Sequence, residues 1–281
     1  MNSSIQQILV HADSTVSTGI RMDIALKLAQ TFGASVRALY AAAPREVTAL
    51  DMNAGAVGEV YARVQQVNAH RHSRARTMFD TSLTKSGADA SWDVLTQSPL
   101  ADAFARQAWF SDLMVLGQRD PASADGEEVP ADFVETVIAA SGRPGLVIPY
   151  TGSFNSVGTN VVIAWKESRE AAHAVAASLP LLSRAQAVHV LTWGPKPHSV
   201  STSGGLDLNS YLLSHGVKAQ WHWEGPEADS IGEKLLSRTY ELQADLLVMG
   251  CYSHSRAREW LLGGASRTIL GSMTLPVLMA H

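Results

Sequence analysis

Cysteine is almost absent from this 281-residue chain, and Cys251 is the only one. That excludes an internal disulfide framework and suits a reducing compartment, so the cytoplasm is expected. Charge is scarce as well. Asp, Glu, Lys and Arg make up 17% of the residues against 46% hydrophobic, a balance that builds packed cores rather than a disordered chain. Basic residues are outnumbered, 22 to 26, for a net charge of -4. The one locally basic stretch, residues 70–76, is short, so no nucleic-acid partner is expected, because neutralising phosphates takes clustered Lys and Arg. No run approaches the roughly 18 consecutive apolar residues of a membrane helix, and residues 1–10 lack the basic flank of a secretory signal. No membrane partner is expected either.

Recognisable catalytic machinery is missing too. There is no Walker loop, and no local motif places a Ser-His-Asp or Cys-His set. Histidine is plentiful, with ten residues, but no pair has a partner set suited to a metal. On a helix His70 and His72 diverge by ~200°, which leaves them solvated rather than chelating. The segment Ser203-Gly204-Gly205-Leu206-Asp207 looks like the start of an ATP pyrophosphatase loop. It follows the second strand instead of the first, and Leu208 stands where a closing Ser belongs, so it reads as a surface loop. No metal is predicted, and a non-enzyme is favoured over an enzyme.

What is present is a repeat. Residues 8–15 match residues 161–168 as a short apolar strand running into a polar turn, each followed by an alanine-rich helix, 20–32 and 170–182, and a second apolar strand, 35–41 and 187–193. Asp112-Leu-Met-Val-Leu-Gly117 answers Asp245-Leu-Leu-Val-Met-Gly250, and the Pro144 strand answers the Pro276 strand, in the same order. Such order points to duplication. Continuous apolar runs alternating with helical patterns signal parallel strands covered on both faces. The expected fold is α/β: two tandem doubly wound domains, each a parallel sheet of about five strands flanked by helices. The small polar residues around 155 set the boundary, giving domains 1–153 and 157–281.

The halves differ after their second strands. Val57, Val60, Tyr61, Val64, Val67, Ala75, Met78 and Phe79 recur at helical spacing, predicting a long amphipathic helix. The second half has instead a loop at 194–207 and a short helix near 208–214. Trp92, Trp221 and Trp223 occupy strand-like segments where core or interdomain packing is expected.

The segment that carries chemistry follows the strand 246–249. It runs from Gly250 through Cys251, Ser253 and His254 to Gly263, Gly264, Ala265 and Ser266, where a helix opens. Unpaired N–H groups at such a start suit an anionic phosphate. Gly263 and Gly264 permit close approach and Ser266 offers a hydroxyl. His254 reads as a phosphate contact or a turn cap. Cys251 reads either as a thiol acidified by nearby amides or as a buried inert residue.

This pattern resembles the signature of the universal stress protein family: Gly, two residues, Gly, nine residues, Gly, then Ser or Thr. Gly250 fits the first glycine and Gly263 the third, while Ser253 stands at the second and Gly264 where the hydroxyl belongs. The stretch opening Ala164-Trp165-Lys166 resembles the family's first strand and helix, with Lys166 where an acidic residue is usual. The resemblance spans both halves and implies an adenine nucleotide alpha hydrolase-like, Rossmann-like fold. It also implies a site for ATP or AMP between Ala164, Trp165 and Lys166 on one side and the glycine loop on the other. Family domains pair through their last strands; two domains in one chain can do so internally, and this leaves room for a homodimer of the whole chain in addition. The first half keeps Asp13, at a position that contacts the adenosine end in binding members. It has no Gly-Ser before the helix at Asp132, and its acidic stretch Asp125-Gly-Glu-Glu128 would repel a phosphate. The expectation is a stress-response binding or regulatory module. A slow ATPase or nucleotide-transfer enzyme and a nucleotide-free interaction scaffold are the alternatives.

Overall fold

The computed structural model describes residues 4–47, 57–121, 128–194, 207–226, 230–251 and 264–281. Two compact units emerge: Gln6–Ser141, and Gly142–His281 together with Met1–Ile5. The division by contacts falls one strand earlier than the sequence boundary of 153/157.

In the unit 6–141, β1 (Gln7–Ala12), β2 (Ser35–Tyr40), β3 (Ala90–Val94) and β4 (Leu113–Gly117) form a parallel sheet in the order β3-β2-β1-β4. The helices are α1 (Ser17–Phe32), α2 (Val57–Ser86), α3 (Leu100–Ala108) and α4 (Phe133–Ser141). Ile8, Val10, Met114 and Leu116 are completely buried, which is why the central strands read as unbroken apolar runs. The chain reverses direction after α1 at Gly33, whose φ of 69° lets its N–H reach the carbonyl of Ala29. Helix α2 is longer than its apolar pattern suggests. It buries Val64, Ala75, Phe79 and Ser82 and leaves Val57 and Tyr61 exposed.

In the other unit, β5 (Gly145–Ile148), β6 (Asn160–Trp165), β7 (Ala187–Thr192), β8 (Gln220–Trp223), β9 (Leu246–Gly250) and β10 (Val277–Ala280) lie in the order β8-β7-β6-β9-β10-β5. All are parallel to their neighbours except β5, which runs antiparallel to β10 with Val277 opposite Val147. The helices are α5 (Arg169–Leu182), α6 (Leu208–Ser214), α7 (Ile231–Glu241) and α8 (Ala265–Ser272). Among the described residues no helix is long and apolar enough to cross a membrane.

The same device closes both sheets at the strand starts. Asp112 accepts hydrogen bonds from the amides of Gln6 and Gln7 at 2.8 and 2.9 Å, and its own amide donates to Gln7. Asp245 accepts from Gly158, Thr159 and Asn160 at 3.1, 3.1 and 2.9 Å, and its amide donates to Asn160. The two aspartates thereby satisfy amides left over where β1 and β6 begin.

Two expectations need correction. Trp221 and Trp223 are not core residues: β8 is an edge strand, so they are 42% and 44% exposed, with indole N–H groups donated to Asn209 and Gly194. His72 is not fully solvated: it is half-buried, with its ring edge-on to Tyr40 and Trp92 at 5.0 and 5.9 Å. Of the acidic stretch expected to repel a phosphate, Glu128 is wholly buried, and Asp125 and Glu127 lie outside the described residues.

Candidate functional site

In a doubly wound sheet the crevice opens at the carboxyl ends of the strands where the winding changes direction. That point lies between β1 and β4 in one unit and between β6 and β9 in the other.

In the second crevice Ala164 pairs with Met249, so Trp165 follows beside Gly250. Lys166 is exposed in the turn, and Ser168 caps α5 by accepting a hydrogen bond from the amide of Ala171 at 3.2 Å. Space is what requires glycine at 250. A Cβ there would collide with the amide of Ala171 and stand 2.6 Å from the carbonyl carbon of Glu170, so the end of β9 sits flush on the first turn of α5. The Glu170 carboxyl is held below its ordinary range, first by its own amide and then by Ser168 and Arg169, against the opposing effect of burial.

Cys251 is held by the main chain at the end of β9. It is buried, its amide donates to Ala280 at 3.0 Å and its thiol donates to the same carbonyl at 3.4 Å. A ring nitrogen of His281 meets the Cys251 carbonyl, and one of His173 meets the carbonyl of His281, at 3.0 and 2.9 Å. Ser253, His254 and Gly263 lie outside the described residues. Beyond them Gly264 caps α8, with no side chain serving as the cap. Because α8 connects the parallel strands β9 and β10, it starts at the carboxyl end of the sheet, the end that carries Trp165, Lys166 and Gly250. In the first turn of α8 the amides of Arg267 and Thr268 donate to the carbonyl of Gly264 at 3.0 and 3.3 Å, and Ser266 is buried.

The first crevice is filled by charge. Asp13 pairs with Arg21 at 2.9 Å, and accepts from the amide and hydroxyl of Thr15 and from Thr18. Burial opposes ionisation of Asp13, but Arg21, His11 and Thr15 outweigh it and bring its pKa down to about 2. Arg21 is only 2% exposed. It also donates to Ser17 and Thr18, while its Nε has no partner among the described residues. Its guanidinium lies directly over Gly117, the counterpart of Gly250, with Cζ 3.0 Å from where a Cβ would stand. Nearby, the Glu128 carboxylate accepts from the amide of Ser14 at 3.2 Å, from the Ser14 hydroxyl, and from Arg71 at 2.9 Å. Burial raises the pKa of Glu128 and is only partly opposed by Ser14 and Arg71.

Sequence reasoning missed Arg21 and Arg71. A signal for Arg21 was available: with Ile24, Ala25 and Leu28 it falls on the apolar stripe of α1, where a lone charge needs a buried partner. The approach of His189 to His222, 3.0 Å between ring nitrogens on β7 and β8, could not be read from spacing. Among the described residues no three His, Cys, Asp or Glu side chains converge to hold a metal.

No protein-family model and no curated protein matches the chain. Solved structures do. A universal stress protein from Archaeoglobus fulgidus DSM 4304 is 12% identical, with a TM-score of 0.69, 98% of this chain covered and 95% of that one. A protein from Pseudomonas aeruginosa UCBPP-PA14 assigned to the universal stress proteins is 16% identical, with a TM-score of 0.62 and coverage of 98% and 93%. A protein of unknown function from Pseudomonas aeruginosa PAO1 is 15% identical, with a TM-score of 0.62 and coverage of 98% and 92%. The chain has the fold of these proteins along nearly its whole length.

Proposed function

We propose that the chain is a tandem universal stress protein, a cytoplasmic stress-response module that binds and regulates rather than catalyses. In this reading it holds one adenine nucleotide, ATP or AMP, in the crevice of the second unit and none in the first. The contrast between Gly117 and Gly250 carries the reading. Over Gly117 stands the buried guanidinium of Arg21, whereas the nearest atoms to Gly250 are main-chain atoms of Glu170 and Ala171 at the first turn of α5. The phosphates would lie against Gly250, Ser253, His254, Gly263, Gly264, Ala265 and Ser266, with Cys251 beneath them as a structural support. Ala164, Trp165 and Lys166 would line the nucleoside side, with Lys166 adding a positive charge. The antiparallel pairing of β5 with β10 supports last-strand pairing carried inside one chain.

Thermal denaturation with and without nucleotide tests the site. A ligand that binds only the folded chain adds about 2.7 kcal/mol at a hundred times its Kd, so a rise in Tm at millimolar ATP or AMP is expected, and Gly263→Asp should abolish it. An unchanged Tm at those concentrations would remove nucleotide from the reading.

A further inference from the structure

The first crevice is not a site that has merely decayed, because its groups form a cradle with something in it. Glu128 is 0% exposed, and its main-chain carbonyl is fixed by the amide of Ala43 at 2.6 Å. Its carboxylate meets one backbone amide and one hydroxyl, both from Ser14, and one guanidinium, Arg71. An amide, a hydroxyl and an arginine fork are the donors with which proteins hold carboxylates and phosphates. Every one of these donors is turned on Glu128. The charges close as well: Arg21 and Arg71 balance Asp13 and Glu128. Subtracting Glu128 leaves Arg71, whose side chain is only 16% exposed, without its carboxylate, and a half-buried unpaired charge favours uptake of an anion.

We propose that Ser14 and Arg71 form an oxyanion-binding site that Glu128 occupies in cis, so that the first unit carries its own ligand. The site is specific for a small anionic oxygen group, carboxylate or phosphate, and Glu128 excludes such groups from solution by holding the cradle at high effective concentration. The proposal stands apart from any nucleotide in the second unit.

Glu128→Ala removes the carboxylate and leaves every donor in place. Its Tm and that of the wild type are compared in chloride, formate and inorganic phosphate at equal ionic strength. Glu128→Ala should melt below the wild type in chloride and recover at least half of the loss in about 50 mM formate or phosphate. The wild type should respond alike to all three anions. Recovery in formate alone defines a carboxylate-sized cradle, and recovery in both defines one wide enough for a phosphoryl group. The double variant Arg71→Met, Glu128→Ala should not recover. Equal responses of Glu128→Ala and the wild type, or recovery that survives the loss of Arg71, would overturn the proposal. Where Glu128→Ala does not fold in chloride, soluble yield becomes the readout. Folding in formate or phosphate only is then the expected result, and insolubility in all three anions overturns the proposal.

Discussion

His11 shows how much one buried group can contribute at the residue scale. It is 2% exposed, packed 4.5 Å from the ring of Phe133 and 5.5 Å from that of Phe104, with Nε2 2.9 Å from the carbonyl of Ala41. Burial, helped by Arg21 and opposed by Asp13 and the Ala41 carbonyl, lowers its pKa from 6.5 to about 4. The unfolded chain therefore takes up a proton below pH 6.5 that the folded chain refuses until about 4. Stability should fall across that window by up to about 3 kcal/mol. Asp13, brought from 3.8 to about 2, adds a separate loss at lower pH. His11→Gln should flatten the Tm profile between pH 6.5 and 4 while keeping the steeper decline below 4. A variant whose profile parallels the wild type would show that another group titrates there. None of this was legible in the sequence, where His11 is one of ten histidines and lies in an apolar run without alternation to mark which side chains point inward.

Elements were far more legible, for a physical reason. A parallel strand covered on both faces cannot afford polar residues, so β1, β4, β6 and β9 stand out as unbroken apolar runs. An edge strand obeys a weaker rule. Aromatic residues on β8 satisfy strand propensity while staying partly wet, which is why Trp221 and Trp223 read as core and are not. The strand starts show what the paired aspartates do. Asp245 takes three amides and is partly buried, whereas Asp112 takes two at an exposed position. Buried amides left unpaired cost more than wet ones, so Asp245→Ala should lose about 2 to 4 kcal/mol in urea unfolding and Asp112→Ala about 1 to 2. Equal losses would mean that water replaces the carboxylate as well in one place as in the other.

At the scale of the whole molecule, the two units share a strand order but differ in their crevices. Their frames are alike down to Gly117 and Gly250, and the fold persists at 12% identity to a protein with a TM-score of 0.69. What differs is the filling. The repeat was visible in the order of apolar runs, but the closure of the first crevice was not, because Arg21, Arg71 and Glu128 are distant in sequence and meet only in the folded chain. The absence of a Gly-Ser before the helix at Asp132 was readable; the pairing of Asp13 with Arg21 and of Glu128 with Arg71 was not. From this asymmetry comes a prediction about stoichiometry. A nucleotide entering the first crevice would have to displace both Glu128 and the guanidinium over Gly117, and breaking buried ion pairs costs about 3 to 5 kcal/mol each. AMP should therefore saturate at one molecule per chain in equilibrium dialysis, and Gly263→Asp should bring this to zero. Glu128→Ala alone should leave it at one, because Arg21 still covers Gly117. Two molecules per wild-type chain would show that the buried charges yield to ligand, and the distinction drawn between the crevices would fail.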